Sequence, residues 1–180
     1  SLATIALVVA ALVQFNAEVI RKQEDNVAAQ NVLSHRGGIW RMALAAWERY
    51  PWFGVGIDNY SLISNELVRT WRTEAGKDYD AARYLRTAHA HNLFVNTLAE
   101  RGAVGSAARA AVLLAWLAAR VRERPRPQDG DSAWLAWGAA TSAWFVTVMA
   151  GMVNTTLHHE HGLLAALLLG LWLATLPRVR

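Results

Sequence analysis

The stretch from Ser132 to Gly151, SAWLAWGAATSAWFVTVMAG, runs for twenty residues without a charge. At about 1.5 Å of rise per residue a helix of that length is about 30 Å long, the thickness of a bilayer's hydrocarbon layer. We read it as a transmembrane helix. The composition of the whole chain agrees: 54% of its 180 residues are hydrophobic and only 18% are charged, where soluble domains carry about 25% charge. So apolar a chain does not stay solvated as a disordered segment. Without cysteine it has neither disulfides nor thiolate metal ligands. The net charge of +4 and the pI near 10.0 do not point to nucleic acid, because no basic stripe is interleaved with aromatics. In a membrane chain such charges report orientation and contact with anionic head groups.

Two further apolar stretches flank the first. Ala103 to Ala119 is apolar apart from Arg109, which either snorkels to the interface or points into the protein. Gly162 to Leu176 is fifteen residues long and is extended through the interfacial zone by Leu157 to His161. The opening segment, residues 1–15, lacks the basic region of a signal peptide and reads as the end of a truncated helix. Arg120, Arg122, Arg124 and Arg126 crowd the connection 120–131, and Arg178 and Arg180 close the chain. Both segments read as cytoplasmic. Residues 152–159 and the long stretch 16–92 then lie outside.

The expected fold is therefore all-α: a polytopic helical membrane protein with about four crossings, at residues 1–15, 103–119, 132–151 and 162–176, and one large, mostly helical extracytoplasmic loop. Loops of that size are usually functional. Ile39, Trp40, Ala43, Leu44 and Trp47 repeat at helical spacing, as do Leu62, Ile63, Leu67 and Trp71, and more weakly Ala81, Leu85 and Ala88. These helices are expected against the bilayer surface. Pro51 and the triplet Gly54-Val55-Gly56 should stop the first of them and allow positive φ or close backbone approach. Asn92 should cap the next helix and Gly102 end it.

The run from His91-Asn92 through Gly102 to Gly105 has a His-Asn pair, nine residues, a glycine, two residues and a second glycine. It resembles the signature of the bacterial O-antigen ligase and polymerase family. Arg36 to Trp40, followed by Tyr50-Pro51-Trp52-Phe53-Gly54-Val55-Gly56, resembles that family's arginine helix and its Pro-x-x-Gly-x-Gly turn, with Trp40 where leucine is frequent. The resemblance covers about residues 34–120. It implies the carboxy-terminal part of a polytopic glycosyltransferase of the bacterial inner membrane, its large loop periplasmic. Such an enzyme moves a glycan from undecaprenyl diphosphate to a hydroxyl on lipid A-core, a polysaccharide or a protein. The resemblance implies no metal and no cofactor, and members are longer, so the 180 residues alone are expected to be inactive.

By the same resemblance His91 matches the catalytic histidine and Arg36 an arginine that engages the donor's diphosphate. The chemistry suits both residue types: the acceptor hydroxyl needs a proton acceptor, and the departing diphosphate needs a planar, permanently charged fork. Arg86 and Asn92 are candidates for further substrate contacts. His89 is placed near His91 without a catalytic match, and Arg83 shares Arg86's neighbourhood but reads more as a solvated face. Arg41, Arg49, Arg69 and Arg72 read as head-group anchors. His158, His159 and His161 lack the spacing of a hydrolytic zinc motif and read as an interfacial cluster or a polar contact inside the bundle. The competing reading is a non-enzymatic transporter or assembly subunit whose loop binds lipid-linked saccharide.

Overall fold

A computed structural model of the chain describes residues 31–157 and 159–176, without the side chains of 31–35 and 159. The expected first crossing at 1–15, His158 and the terminal Arg178 and Arg180 lie outside the described residues. Among the described residues there are five α-helices: α1 (Asn31–Arg49), α2 (Asn65–Glu74), α3 (Leu93–Arg122), α4 (Asp131–Gly151) and α5 (His159–Thr175). Short 3₁₀ turns stand at Tyr60–Leu62 and Ala81–Arg83. The chain divides into two units, Ser1–Gly37 and Gly38–Arg180.

Within the larger unit α1 turns Ile39, Met42, Ala43 and Ala46 inward, the spacing of one helix face. Tyr60, Ile63 and Val68 close over that face from the following segments, and Ala90 and Ala99 complete the core. The loop helices therefore bury their apolar faces against one another. Ser64 caps α2 by accepting from the Leu67 N–H at 3.1 Å. The expected helix through Ala81, Leu85 and Ala88 does not form. Asp80 caps a single turn at Ala81–Arg83, after which Tyr84 is extended. Tyr84 stacks on Tyr79 with ring centroids 5.3 Å apart, and Leu85 packs against Gly38, where an added Cβ would stand 3.1 Å from the leucine Cβ. These contacts use the segment's side chains in an extended course, and tertiary contact of this kind overrides a weak helical pattern.

Helices α3 and α4 are each long and apolar enough to cross a membrane, while the apolar part of α5, Glu160–Thr175, is shorter. Large apolar side chains on all three face outward: Leu114 is 63% exposed, Leu135 73% and Leu163 74%. Apolar surface of that extent suits lipid rather than water. A second core of Leu113, Trp116, Ala140, Ala143, Ala165 and Trp172 joins the three helices. Indole N–H groups staple α4 to α3 through backbone carbonyls, Trp144 to Leu113 at 2.9 Å and Trp137 to Arg120 at 3.0 Å. His161 meets the Thr147 hydroxyl at 3.2 Å, a polar contact inside the bundle.

The feature that positions everything else is a break in α3. Gly102 stands at φ 61°, ψ −162°, so 93–101 and 103–122 are two helices set end to end. In an unbroken helix the Ala103 and Val104 N–H groups would bond to the carbonyls of Ala99 and Glu100. Here the turn 51–56 takes both sides of that exchange. Val55 N–H donates to Ala99 and Gly56 N–H to Glu100, each at 2.9 Å. Ala103 N–H donates to Pro51 at 2.8 Å and Val104 N–H to Trp52 at 3.1 Å. The four groups orphaned by the break are thus all satisfied within the protein, as lipid requires. Backbones approach so closely that a Cβ at Gly54 would lie 2.5 Å from the Ala99 oxygen, and one at Gly102 would lie 2.5 Å from the Phe53 nitrogen.

Tyr60 locks this arrangement from the side. It is 1% exposed, its hydroxyl donates to the Ile39 carbonyl at 3.0 Å, and its N–H donates to Glu100 Oε1 at 3.4 Å. Burial pushes the Tyr60 phenol up from 10.0 to about 12; a hydrogen bond with Thr87 opposes this and the Glu100 carboxylate adds to it. A phenol raised in the folded state stabilises fully below pH 10.0, and that contribution is lost as pH rises through about 12. Tyr60→Phe should cost about 1 kcal/mol at neutral pH. The stability gap between the two proteins, followed by unfolding titrations, should shrink only over the alkaline window between those two values.

Candidate functional site

The segment that carries His91 runs extended from Tyr84 and meets α3 at a fixed point. Asn92, 8% exposed, caps the helix: its Oδ1 accepts from the Phe94 N–H at 2.9 Å and the Val95 N–H at 3.0 Å. The other end of the same amide, Nδ2, donates to the Met152 carbonyl at 2.8 Å. One side chain thus ties the start of α3 to the turn that leaves α4, with two bonds accepted by its oxygen and one donated by its nitrogen.

His91 lies immediately outside the cap, half-buried, with φ at 48°. That left-handed conformation costs an L-residue on the order of 1 kcal/mol, although histidine tolerates it better than most. It is held by its neighbours on both sides. The Ala90 N–H donates to Asn96 Oδ1 at 2.9 Å, and the Ala90 carbonyl accepts from the Trp40 indole at 3.1 Å. The Thr87 hydroxyl donates to the His89 carbonyl at 2.7 Å. Strain maintained by an over-determined frame is a frequent property of functional residues. The His89 ring lies beside that of His91, with centroids 4.3 Å apart and planes 54° from parallel.

The remaining candidates are distributed as follows. Arg86 is exposed and donates from Nη2 to the Ser61 carbonyl at 2.9 Å, which anchors the extended segment to the Tyr60–Leu62 turn. Arg83 offers its carbonyl to Arg41 Nη1 at 3.3 Å. Arg36 is half-buried in α1 and belongs to the unit Ser1–Gly37. Among the head-group candidates, Arg49 pairs with Glu74 at 3.2 Å and Arg72 with Glu48 at 3.5 Å. No group of three or more metal-ligating side chains occurs among the described residues.

Two residues of this region carry no sequence signal for their place in it. Glu100 belongs to no motif position and is 7% exposed beneath the turn 51–56. Met152 contributes only a backbone carbonyl, which no side-chain motif encodes.

The chain matches the model of the family described as O-antigen ligase over residues 1–110, a span that takes in Arg36, the Pro51–Gly56 turn, His91-Asn92 and both motif glycines. No curated protein and no solved structure matches it.

Proposed function

This chain belongs to the O-antigen ligase family, and on that premise we propose that it transfers a glycan from undecaprenyl diphosphate to a hydroxyl acceptor at the outer face of a bacterial inner membrane. The family is one of membrane-associated glycosyltransferases of the O-antigen ligase or polymerase type, acting on lipid-linked glycans. In this reading His91 takes the proton of the attacking hydroxyl as the new glycosidic bond forms. Arg36 holds the diphosphate that leaves with the polyprenol and offsets its charge. Asn92 positions His91 beside the substrate, and Arg86 is a further contact for the donor's diphosphate. The acceptor is the hydroxyl of lipid A-core, of a growing polysaccharide or of a protein.

The observation that carries the proposal is the frame around His91. A left-handed histidine lies immediately before the cap of α3, in a chain whose two family motifs bond to each other through four backbone hydrogen bonds. An imidazole with only a packing role has no need of so strained a position. The experiment is transfer from a polyprenyl diphosphate donor to its acceptor by the full-length membrane protein, wild type against His91→Ala and Arg36→Ala. Undiminished transfer without the histidine would overturn the assignment.

A further inference from the structure

Beside the break in α3, next to the residues that follow the turn 51–56, lies a cavity of about 250 Å³ whose polar lining includes Asp58, Thr97, Glu100, Arg101, Arg109 and Thr155. The reading given above for His91 and Arg36 uses none of these residues.

Donors outnumber their partners there. Arg101 Nε and Thr155 Oγ1 are buried and have no hydrogen-bond partner. Neither the Arg101 nor the Arg109 guanidinium has a hydrogen bond or an ion pair among the described residues. The ion pairs present, such as Arg49 with Glu74 and Lys77 with Glu48, lie elsewhere. The two carboxylates in the wall do not neutralise the arginines by contact, because neither comes within 4.0 Å of a guanidinium nitrogen, and Glu100 already accepts from Tyr60 N–H.

The arginines are brought there by the family's own glycines. The break at Gly102 swings the Arg101 stem back over the helix, so that a Cβ at Gly105 would fall on the Arg101 Cβ and within 3.3 Å and 3.4 Å of its Cγ and Cδ. The second motif glycine is thus the floor on which Arg101 lies. Arg109 lies beyond the break, in the second of the two helices and within the stretch apolar enough to cross a membrane. A guanidinium at such a depth is retained where it meets an anion or a water-filled cavity. Two more walls, Asp58 at φ 63° and Leu157 at φ 59°, hold left-handed backbone at the cavity's edge.

We propose that this cavity is an oxyanion site that binds a phosphate ester, with Arg101 and Arg109 gripping its oxygens and the Thr155 hydroxyl donating to a third. Two guanidinium forks and a hydroxyl match a tetrahedral phosphate, and the cavity volume admits the phosphate and the first atoms of its ester. The proposal does not depend on His91 being catalytic. The same chemistry can come from a lipid head group in the bilayer or from a phosphate in the water.

The test uses the full-length protein in phosphatidylcholine nanodiscs. One arm adds phosphatidic acid to the bilayer and counts bound lipid by native mass spectrometry. The other adds inorganic phosphate or pyrophosphate and measures binding by calorimetry. In whichever arm binding occurs, Arg101→Gln and Arg109→Gln should each weaken it by about tenfold or more. Arg109→Lys should retain more than the glutamine variant, and Lys77→Gln, at an exposed cation elsewhere, should change nothing. His91→Ala should bind as wild type does, so a failure of the catalytic reading and a failure of this one are read separately. Binding confined to the lipid arm identifies a bilayer phosphate, and binding confined to the soluble arm a water-borne one; either supports the site. Affinity indifferent to both glutamine variants, or equally lowered by Lys77→Gln, would overturn it.

Discussion

Glycan transfer by the His91→Ala protein is expected to fall by about a hundredfold to ten-thousandfold, the usual contribution of a positioned acid or base. Two further variants separate chemistry from folding. His91 occupies φ 48°, a region glycine enters freely, so His91→Gly relieves the backbone while removing the ring. Relief of on the order of 1 kcal/mol is partly offset by glycine's greater freedom in the unfolded chain, which leaves stability within about 1 kcal/mol of wild type. A protein as stable as wild type but without transferase activity is therefore the expected result for His91→Gly. His91→Asn, which also tolerates the left-handed region, should keep the fold and lose the activity as well. Activity that tracks thermal stability across the three variants, instead of vanishing in all of them, would make His91 a packing residue. Arg36→Ala should lower transfer by about a hundredfold to a thousandfold, as the loss of a charge-stabilising donor does.

Much of this framework was legible in the residues. The uncharged run from Ser132 fixed α4 to within one residue, because length and apolarity are sufficient to specify a crossing helix. Asn92 was readable as a cap because its short amide precedes an apolar helical run. The special backbone at Gly54 and Gly102 was readable from residue type, and both stand at positive φ. What those glycines are for was not readable. The exchange of hydrogen bonds between 51–56 and 99–104 joins backbone groups more than forty residues apart, and backbone pairing leaves no mark on side-chain periodicity. The weak Ala81, Leu85 and Ala88 pattern misled for the converse reason: three apolar residues at helical spacing are few enough for tertiary contacts to override. Arg109 was open between lipid interface and protein interior, and only the swing of α3 at Gly102 places it on a cavity.

The same swing makes Gly102→Ala the substitution with the largest expected cost in stability. Two penalties combine there. The backbone at φ 61°, ψ −162° belongs to a region essentially reserved for glycine, which costs another residue about 1–3 kcal/mol. The new Cβ would also press into the peptide joining Trp52 and Phe53. That contact is with backbone, which cannot swing aside as a flexible side chain does, and overpacking of this kind costs about 1–3 kcal/mol more. A total of about 2–6 kcal/mol is a large share of the 5–15 kcal/mol that holds a typical domain together. Two other glycines apportion the effect. Gly76 shares the positive φ, at 65°, but has nothing within 4 Å of a Cβ, so Gly76→Ala should show the conformational penalty alone. Gly138, in the middle of α4, has neither constraint, and Gly138→Ala should be neutral or stabilising by up to about 1 kcal/mol. Thermal unfolding of the purified full-length proteins should therefore rank Gly138→Ala above wild type or beside it, Gly76→Ala below, and Gly102→Ala far below. If Gly102→Ala falls no further than Gly76→Ala, the loop does not press on the helix as described. The break would then be a local conformation rather than the joint on which the His91 frame and the Arg101 cavity both turn.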